Sequence, residues 1–163
     1  MREEVSSPVR LSEAALAELE KLGQRYPRRE ALLLPALWLV QRQYGWISPA
    51  AMEYVAGLVG VSPVRVYSVV TFYHMFHERP PGKYNVQVCH NLSCSLRGAE
   101  RLLERLHAGL GVGENEPTPD GRFTVQRVEC LGACEHAPVA QINDDFHFDL
   151  TPEKLEKLLG DLP

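Results

Sequence analysis

The four cysteines of this chain limit its possible folds more than any other sequence feature. They stand in two short segments, CHNLSC with Cys89 and Cys94, and CLGAC with Cys130 and Cys134. In a reducing compartment, closely spaced thiols of this kind indicate metal binding or redox chemistry rather than disulfide bridges. A fold that uses all four thiols at one site must therefore bring together two segments that are separated by residues 95–129.

Composition and charge narrow the class of protein. The chain has 163 residues, with 17 basic and 21 acidic side chains and a net charge of -4. The most basic run, RYPRRE at 25–30, is too short and too poor in aromatic residues to indicate nucleic-acid binding, and we interpret it as a solvated connection between helices. We therefore expect a folded protein that does not bind nucleic acid.

Two segments bear on cellular location. The longest apolar run, at 31–40, has half the length that a bilayer span requires and is interrupted by Pro35, which predicts a core helix and no direct membrane insertion. The amino-terminal residues MREEVSSPVR lack the apolar segment of a secretory signal. These features predict a protein that stays in the cytoplasm.

The first part of the chain has the apolar spacing of α-helices. Apolar residues recur three and four positions apart, and the dipeptides Ser48-Pro49 and Ser62-Pro63 are typical of helix starts. We predict four helices, at 11–24, 30–44, 49–59 and 63–76, with the aromatic run FYHMF in the core. The segment RPPGKY then breaks the helical pattern. It predicts a helical amino-terminal domain at 1–78 and a second domain at 79–163.

The second part of the chain has the alternation of β-strands. Strands are predicted at 84–88 and 123–128, and between them Leu96, Ala99, Leu103, Leu106 and Leu110 share one face of a helix that packs on the sheet. The segments at 138–142 and 146–150 flank NDD and predict a hairpin, and Thr151-Pro152 begins a last helix. This β-α-β-β-α order predicts an α+β or α/β domain with a mixed sheet and a thioredoxin-like arrangement.

All four thiols fall near predicted strand ends. Cys89 ends the first strand, Cys94 precedes the helix, and the Cys130–Cys134 loop contains Gly132, which adopts backbone conformations that other residues avoid. The spacings fit a [2Fe-2S] cluster in which each pair binds one iron. The amino terminus of the helix, expected near Leu96, would stabilise the negative charge of such a cluster.

Other chemistries use the same groups. A four-cysteine zinc site usually has closer pairs, and dithiol exchange of the thioredoxin type requires Cys-x2-Cys, which neither segment has. A Rieske centre would need two histidines as ligands, and we interpret His90 and His136 as loop residues beside the site. We interpret His74 and His77 as part of a helix end. Zinc, disulfide and dithiol chemistry remain alternatives at this point.

The segments VCHNLSCSLRGAE, TPDGRFTVQRVECLGACEHAPVAQIND and TFYHMFHERPPGKY resemble the thioredoxin-like [2Fe-2S] subunit of NADH:quinone oxidoreductase, the bacterial respiratory complex I. The resemblance spans about residues 10 to 160. It implies that Cys89, Cys94, Cys130 and Cys134 bind one [2Fe-2S] cluster and that the amino-terminal helices pack against a flavoprotein subunit. That partner would carry FMN, the NADH site and a [4Fe-4S] cluster.

The same resemblance bears on catalysis and assembly. This chain has no GxGxxG fingerprint and no P-loop, so we expect it to contribute no catalytic residues of its own. The resemblance implies a peripheral position on the cytoplasmic side of the inner membrane, within a larger respiratory complex. Similar subunits serve NAD-linked hydrogenases, formate dehydrogenases and electron-bifurcating complexes, and the four cysteines do not separate these alternatives. An adaptor stabilised by zinc is a further alternative.

Overall fold

The computed structural model describes residues 8–163, which form two compact units that divide between Pro80 and Pro81. The domain boundary that the sequence predicts between residues 78 and 79 stays a prediction. The predicted absence of a secretory signal rests on residues 1–10, of which 1–7 lie outside the described residues.

The first unit is helical, as the apolar spacing predicts. Its described residues form α1 (Glu13–Gly23), α2 (Leu33–Tyr44), α3 (Pro49–Val59) and α4 (Pro63–Phe72). Three of these helices begin after a serine whose hydroxyl accepts a hydrogen bond from the backbone N–H three residues later. These serines are Ser12, Ser48 and Ser62. Their apolar faces, including Leu37, Val55 and Val66, form one buried core.

Two predicted helix bounds in this unit are wrong. The segment predicted to begin at residue 30 starts as a 3-10 turn, Arg29–Leu32, and α2 begins only at Leu33. Pro35 then lies in the first turn of α2, where its missing N–H leaves no helical hydrogen bond unmade. At the other end, α4 stops at Phe72 rather than residue 76, because Tyr73 leaves the helical conformation with φ -94° and ψ 109°.

The aromatic run FYHMF is only partly in the core. The turn after α4 buries Phe76, which is 5% exposed and whose ring centroid lies 5.6 Å from that of Trp38. Phe72, at the end of α4, is instead 77% exposed. The prediction that the whole run is buried is therefore wrong for Phe72.

The second unit is a four-stranded mixed sheet with helices, as predicted. In chain order it consists of β1 (Tyr84–Cys89), α5 (Leu92–Leu96), α6 (Ala99–Leu110), β2 (Phe123–Val128), β3 (Ala140–Ile142), β4 (Asp145–His147) and α7 (Pro152–Asp161). The strand order is β2-β1-β3-β4, with β1 parallel to β2 and antiparallel to β3. The β3-β4 pair is the predicted hairpin, with Asn143 at a positive φ of 53° in its turn. The fold class is therefore confirmed as α+β.

The helix predicted between β1 and β2 is interrupted. Gly98 takes a left-handed conformation, with φ 98°, and separates the short helix α5 from the amphipathic helix α6. Leu96, predicted on the core face, ends α5 and is 79% exposed, so this prediction is wrong. The α6 residues predicted beside it do pack onto the sheet: Ala99, Leu103 and Leu106 are buried, and Leu110 is partly buried.

Within residues 8–163, no single helix has the length and apolar character needed to cross a bilayer. Taken together, α3 and α4 satisfy the criteria of length and composition, but they are bent by 118° at their junction, and both contribute buried residues to the core of the first unit.

Candidate metal centre

The parallel strands β1 and β2 bring both cysteine segments to the same end of the sheet, where the two strands finish. Cys89 is the last residue of β1 and pairs in register with Val128, the last residue of β2. The His90 N–H donates to the Val128 carbonyl at 3.0 Å, and the Cys89 N–H donates to the Val139 carbonyl at 3.1 Å. Cys130 follows two residues after β2, so strand pairing places the start of the CLGAC loop beside the end of β1.

The first pair of thiols is buried, with Cys89 at the end of β1 and Cys94 within the short helix α5. The Asn91 side chain caps this helix by accepting a hydrogen bond from the Leu92 N–H at 2.7 Å. Cys94 therefore lies inside α5 rather than before a helix, and it is 2% exposed. Cys89, which is 3% exposed, lies close enough to raise the pKa of the Cys94 thiol. The prediction of a helix amino terminus near Leu96 is wrong, because α5 ends at that residue.

The second pair of thiols lies on an exposed loop. Gly132 has the left-handed φ of 78° that the sequence predicts for a loop around these sulfurs, and its N–H donates to Cys130 Sγ at 3.3 Å. The Sγ atoms of Cys130 and Cys134 lie 3.9 Å apart, and both residues are exposed. A tetrahedral ion with metal–sulfur bonds of about 2.3 Å holds two of its sulfurs about 3.8 Å apart. The second pair therefore has the spacing of two ligands on one metal ion.

The four predicted thiols come together as two pairs rather than around one point. Helix α5, which carries Cys94, contacts the 3-10 turn Cys134–His136, so the two pairs are neighbours. Among the described side chains, no three of His, Cys, Asp and Glu surround a common position that could hold a single ion. Two adjacent thiol pairs are the ligand arrangement that a dinuclear iron–sulfur cluster requires.

The pKa of two of the thiols, Cys94 and Cys134, is raised. Burial, followed by the hydrogen bond with Cys89, raises the pKa of Cys94 to about 11, and the hydrogen bond with Cys130 raises the pKa of Cys134. Two groups act in the opposite direction, the Val139 backbone at Cys94 and the Ser93 side chain at Cys134. Because metal ligands must be thiolates, a metal held by these sulfurs would displace their protons. The Val139 backbone and the Ser93 side chain would favour the resulting thiolates, since both lower the pKa of the sulfur they act on.

The two histidines near the site face carboxylates. His90 Nε2 lies 3.4 Å from Glu129 Oε1, and Asn91 donates to the other oxygen of Glu129 at 3.1 Å. His136 Nδ1 lies 3.6 Å from Asp149. These contacts support the interpretation of both histidines as loop residues beside the thiols. Glu129 is a further residue of the site, and its position directly before Cys130 is the sequence signal that points to it.

A thioredoxin-like sheet that gathers two cysteine pairs at one edge defines a small iron–sulfur protein of the ferredoxin type. The chain belongs to the thioredoxin-like [2Fe-2S] ferredoxin family, whose model matches residues 19–163. The family's cofactor is a [2Fe-2S] cluster, and the donor set described above, four soft thiolates in two pairs, fits that group.

Curated relatives match most of the chain. It is 46% identical over 142 residues to an NADH-quinone oxidoreductase subunit of Rhizobium meliloti, covering 87% of this chain and 84% of the relative. It is 47% identical over 147 residues to the NADH-quinone oxidoreductase subunit 2 of Thermus thermophilus, covering 88% and 81%. The match with an NADH-quinone oxidoreductase subunit of Rickettsia bellii is 43% identical and covers 90% of both chains. The family resemblance inferred from the sequence is thereby confirmed.

A solved structure shares the fold. A chain of an NAD+-reducing [NiFe]-hydrogenase superposes with a TM-score of 0.67 and 23% identity, covering 80% of this chain and 22% of the hydrogenase chain. At this level of identity the match shows a common fold.

Proposed function

We propose that Cys89 and Cys94 bind one iron of a [2Fe-2S] cluster and that Cys130 and Cys134 bind the other. The bound cluster supplies one-electron transfer, at a potential set by its charge, exposure and hydrogen bonds. The 3.9 Å separation of the Cys130 and Cys134 sulfurs and the burial of Cys89 and Cys94 in one core cluster support this pairing. The two halves of the site differ, since one pair is buried and the other is exposed.

We further propose that this chain is an electron-transfer subunit of an NADH:quinone oxidoreductase. The observation that carries the proposal is the identity of 43–47% to named subunits of that enzyme, over more than four-fifths of each chain. The chain lacks the sequence fingerprints of dinucleotide binding, so FMN and NADH would belong to a partner flavoprotein subunit. The cluster would exchange single electrons with that FMN, in a complex peripheral to the cytoplasmic side of the inner membrane.

The surface beside the thiols is suited to contact with such a partner. Leu92 and Leu96 lie one turn apart on α5, and they are 71% and 79% exposed. Cys130 and Cys134 are exposed as well. Exposed apolar side chains around a functional group are typical of interaction sites. We propose that the flavoprotein subunit covers this part of the second unit.

A second candidate is the equivalent subunit of an NAD-linked hydrogenase. The observation that favours it is the common fold with the hydrogenase chain. The much higher identity to NADH-quinone oxidoreductase subunits makes respiratory NADH oxidation the stronger proposal.

Reduction of the cluster by NADH in the assembled complex tests this function. In the wild-type complex, we expect NADH to produce the EPR signal of a reduced [2Fe-2S] cluster. A matched complex that carries Cys134→Ser should lack this signal, while both complexes retain FMN. The Cys134→Ser complex is a suitable control because this position is exposed and the change removes one proposed ligand. If NADH reduces FMN but the wild-type cluster stays oxidised at all times, the proposed exchange of electrons with FMN is wrong.

A further inference from the structure

The exposed half of the cysteine site has chemistry of its own when no cluster is bound. We propose that in the cluster-free chain Cys130 and Cys134 form a reversible disulfide, while Cys89 and Cys94 remain thiols. The Cys130–Cys134 pair is thus a site of oxidative modification. Its consequence for cluster loading rests on the ligand assignment proposed above, whereas the formation of the bond does not.

The geometry of the CLGAC loop brings these two sulfurs near bonding distance. Cys130 Sγ and Cys134 Sγ are 3.9 Å apart, and a disulfide requires about 2.05 Å. The backbone from Cys130 to Ala133 belongs to no helix or strand, so rotation of the side chains and adjustment of the loop at Gly132 break no regular hydrogen bonds. The Gly132 N–H already directs Cys130 Sγ into this loop, at 3.3 Å. Closing the remaining gap therefore requires only local movement.

Solvent exposure determines which of the two cysteine pairs an oxidant can reach. Cys89 and Cys94 are also near neighbours in the core of the second unit, so proximity alone does not distinguish the two pairs. They are 3% and 2% exposed, however, and lie in the core of the second unit. Thiol–disulfide exchange requires a thiolate to reach the sulfur of the oxidant. An oxidant in solution can therefore reach Cys130 and Cys134, which are exposed, but not the buried pair.

The oxidant is a small-molecule disulfide of the glutathione class. A thiolate of the exposed pair attacks one sulfur of that disulfide, which forms a mixed disulfide and releases one molecule of glutathione as a thiol. The second cysteine then attacks the protein sulfur of the mixed disulfide and releases the second glutathione. Both cysteine sulfurs are oxidised, the small disulfide is reduced to two thiols, and the two protons lost by Cys130 and Cys134 are taken up by the released thiolates. A dithiol reductant reverses the sequence.

The disulfide removes two of the four proposed cluster ligands. Thiolates, not disulfide sulfurs, are the ligands of iron. A chain with Cys130 joined to Cys134 keeps only Cys89 and Cys94 as ligands. The redox state of the exposed loop thus controls whether the chain can accept its cluster. Conversely, a bound cluster protects Cys130 and Cys134 from oxidation.

Trypsin separates the two pairs, which makes the proposal directly testable. Cleavage after Lys83, Arg97, Arg127 and Lys154 places one pair in fragment 84–97 and the other in fragment 128–154. The cluster-free full chain is treated anaerobically with oxidised glutathione, its remaining thiols are alkylated in denaturant, and the fragments are weighed. We expect most of fragment 128–154 to lack alkyl groups and to be lighter by two hydrogen atoms, and fragment 84–97 to carry two alkyl groups. Alkylation of both cysteines in 128–154, or equal oxidation of both fragments, overturns the proposal.

Single substitutions identify the two steps. In Cys130→Ser and in Cys134→Ser the second step is impossible, so we expect at least one variant to keep bound glutathione on the remaining cysteine of fragment 128–154. If neither variant does so, the exposed pair does not react with the oxidant and the proposal fails.

The cluster-loaded chain separates this proposal from the ligand assignment. We expect fragment 128–154 of the loaded chain to resist oxidised glutathione, because its sulfurs are bound to iron. If the disulfide forms in the cluster-free chain and forms equally in the loaded chain with its iron retained, the modification stands and the assignment of Cys130 and Cys134 as ligands is wrong. If no disulfide forms in the cluster-free chain, the modification is wrong and the ligand assignment is unaffected.

Discussion

A Cys94→Ser variant is expected to lose most of its iron and much of the stability of the second unit. Loss of groups that merely orient a metal ligand commonly lowers metal affinity by about 10–100-fold, so the loss of a ligand itself should cost more than about 100-fold. Because binding energy at a thiolate site is also folding energy, the melting temperature of the second unit should fall as the iron is lost. Iron analysis and thermal unfolding of the purified full chain measure the two effects.

Two further variants keep this prediction open to contradiction. Ser95→Ala changes an exposed neighbour on the same short helix and should leave iron content and melting unchanged. Cys134→Ser removes an exposed thiol, so it should lower the iron content, and with it the melting temperature, without placing a hydroxyl in the buried core. Wild-type iron content in both cysteine variants would show that these thiols do not hold the metal.

A Leu103→Ala variant is expected to destabilise the sheet that supports the site. Leu103 lies on α6, is 1% exposed and belongs to the core against which β1 and β2 pack. Truncation of a buried leucine leaves a cavity and costs about 2–5 kcal/mol of unfolding free energy. For a unit of this size, that corresponds to a melting temperature lower by about 10 °C or more.

The matched control is Leu96→Ala, which changes a leucine that precedes α6 and is 79% exposed. An exposed substitution of this kind should alter the free energy of unfolding by less than about 0.5 kcal/mol. Denaturant unfolding of the cluster-free chain, followed by circular dichroism, compares the two variants. Equal stability of the two would mean that α6 does not pack as described.

Local signals explain why much of the fold is predictable from the sequence. Ser48-Pro49, Ser62-Pro63 and Thr151-Pro152 mark the first residues of three helices correctly, because a capping hydroxyl and a proline act within one turn. The strands are predictable from alternation, and their mixed pairing follows from the order of elements. The errors in the predicted bounds occur where distant contacts or a single glycine determine where a helix ends. Helix α4 ends at Phe72, before the turn in which Phe76 is buried beside Trp38, and the left-handed Gly98 separates α5 from α6.

Less of the site than of the fold can be predicted from the sequence. The spacing of the cysteines identifies the four thiols, but it does not indicate that Cys89 and Cys94 are buried while Cys130 and Cys134 are exposed. That asymmetry depends on the short helix α5, which places Cys94 in the core of the second unit together with Cys89. The hydrogen bond from the Cys89 N–H to the Val139 carbonyl depends on the pairing of β1 with the segment before β3, which alternation alone does not specify.

Metal and sulfide analysis of the full chain, purified without oxygen, tests the central claim most directly. The proposed cluster predicts about two irons and two acid-labile sulfides per chain, with no EPR signal when oxidised and a rhombic signal after reduction with dithionite. Zinc at about one ion per chain, with no labile sulfide and no EPR signal in either state, would contradict it. The cysteine pairs would then hold a structural ion, and the chain would act as an adaptor between subunits rather than as an electron carrier.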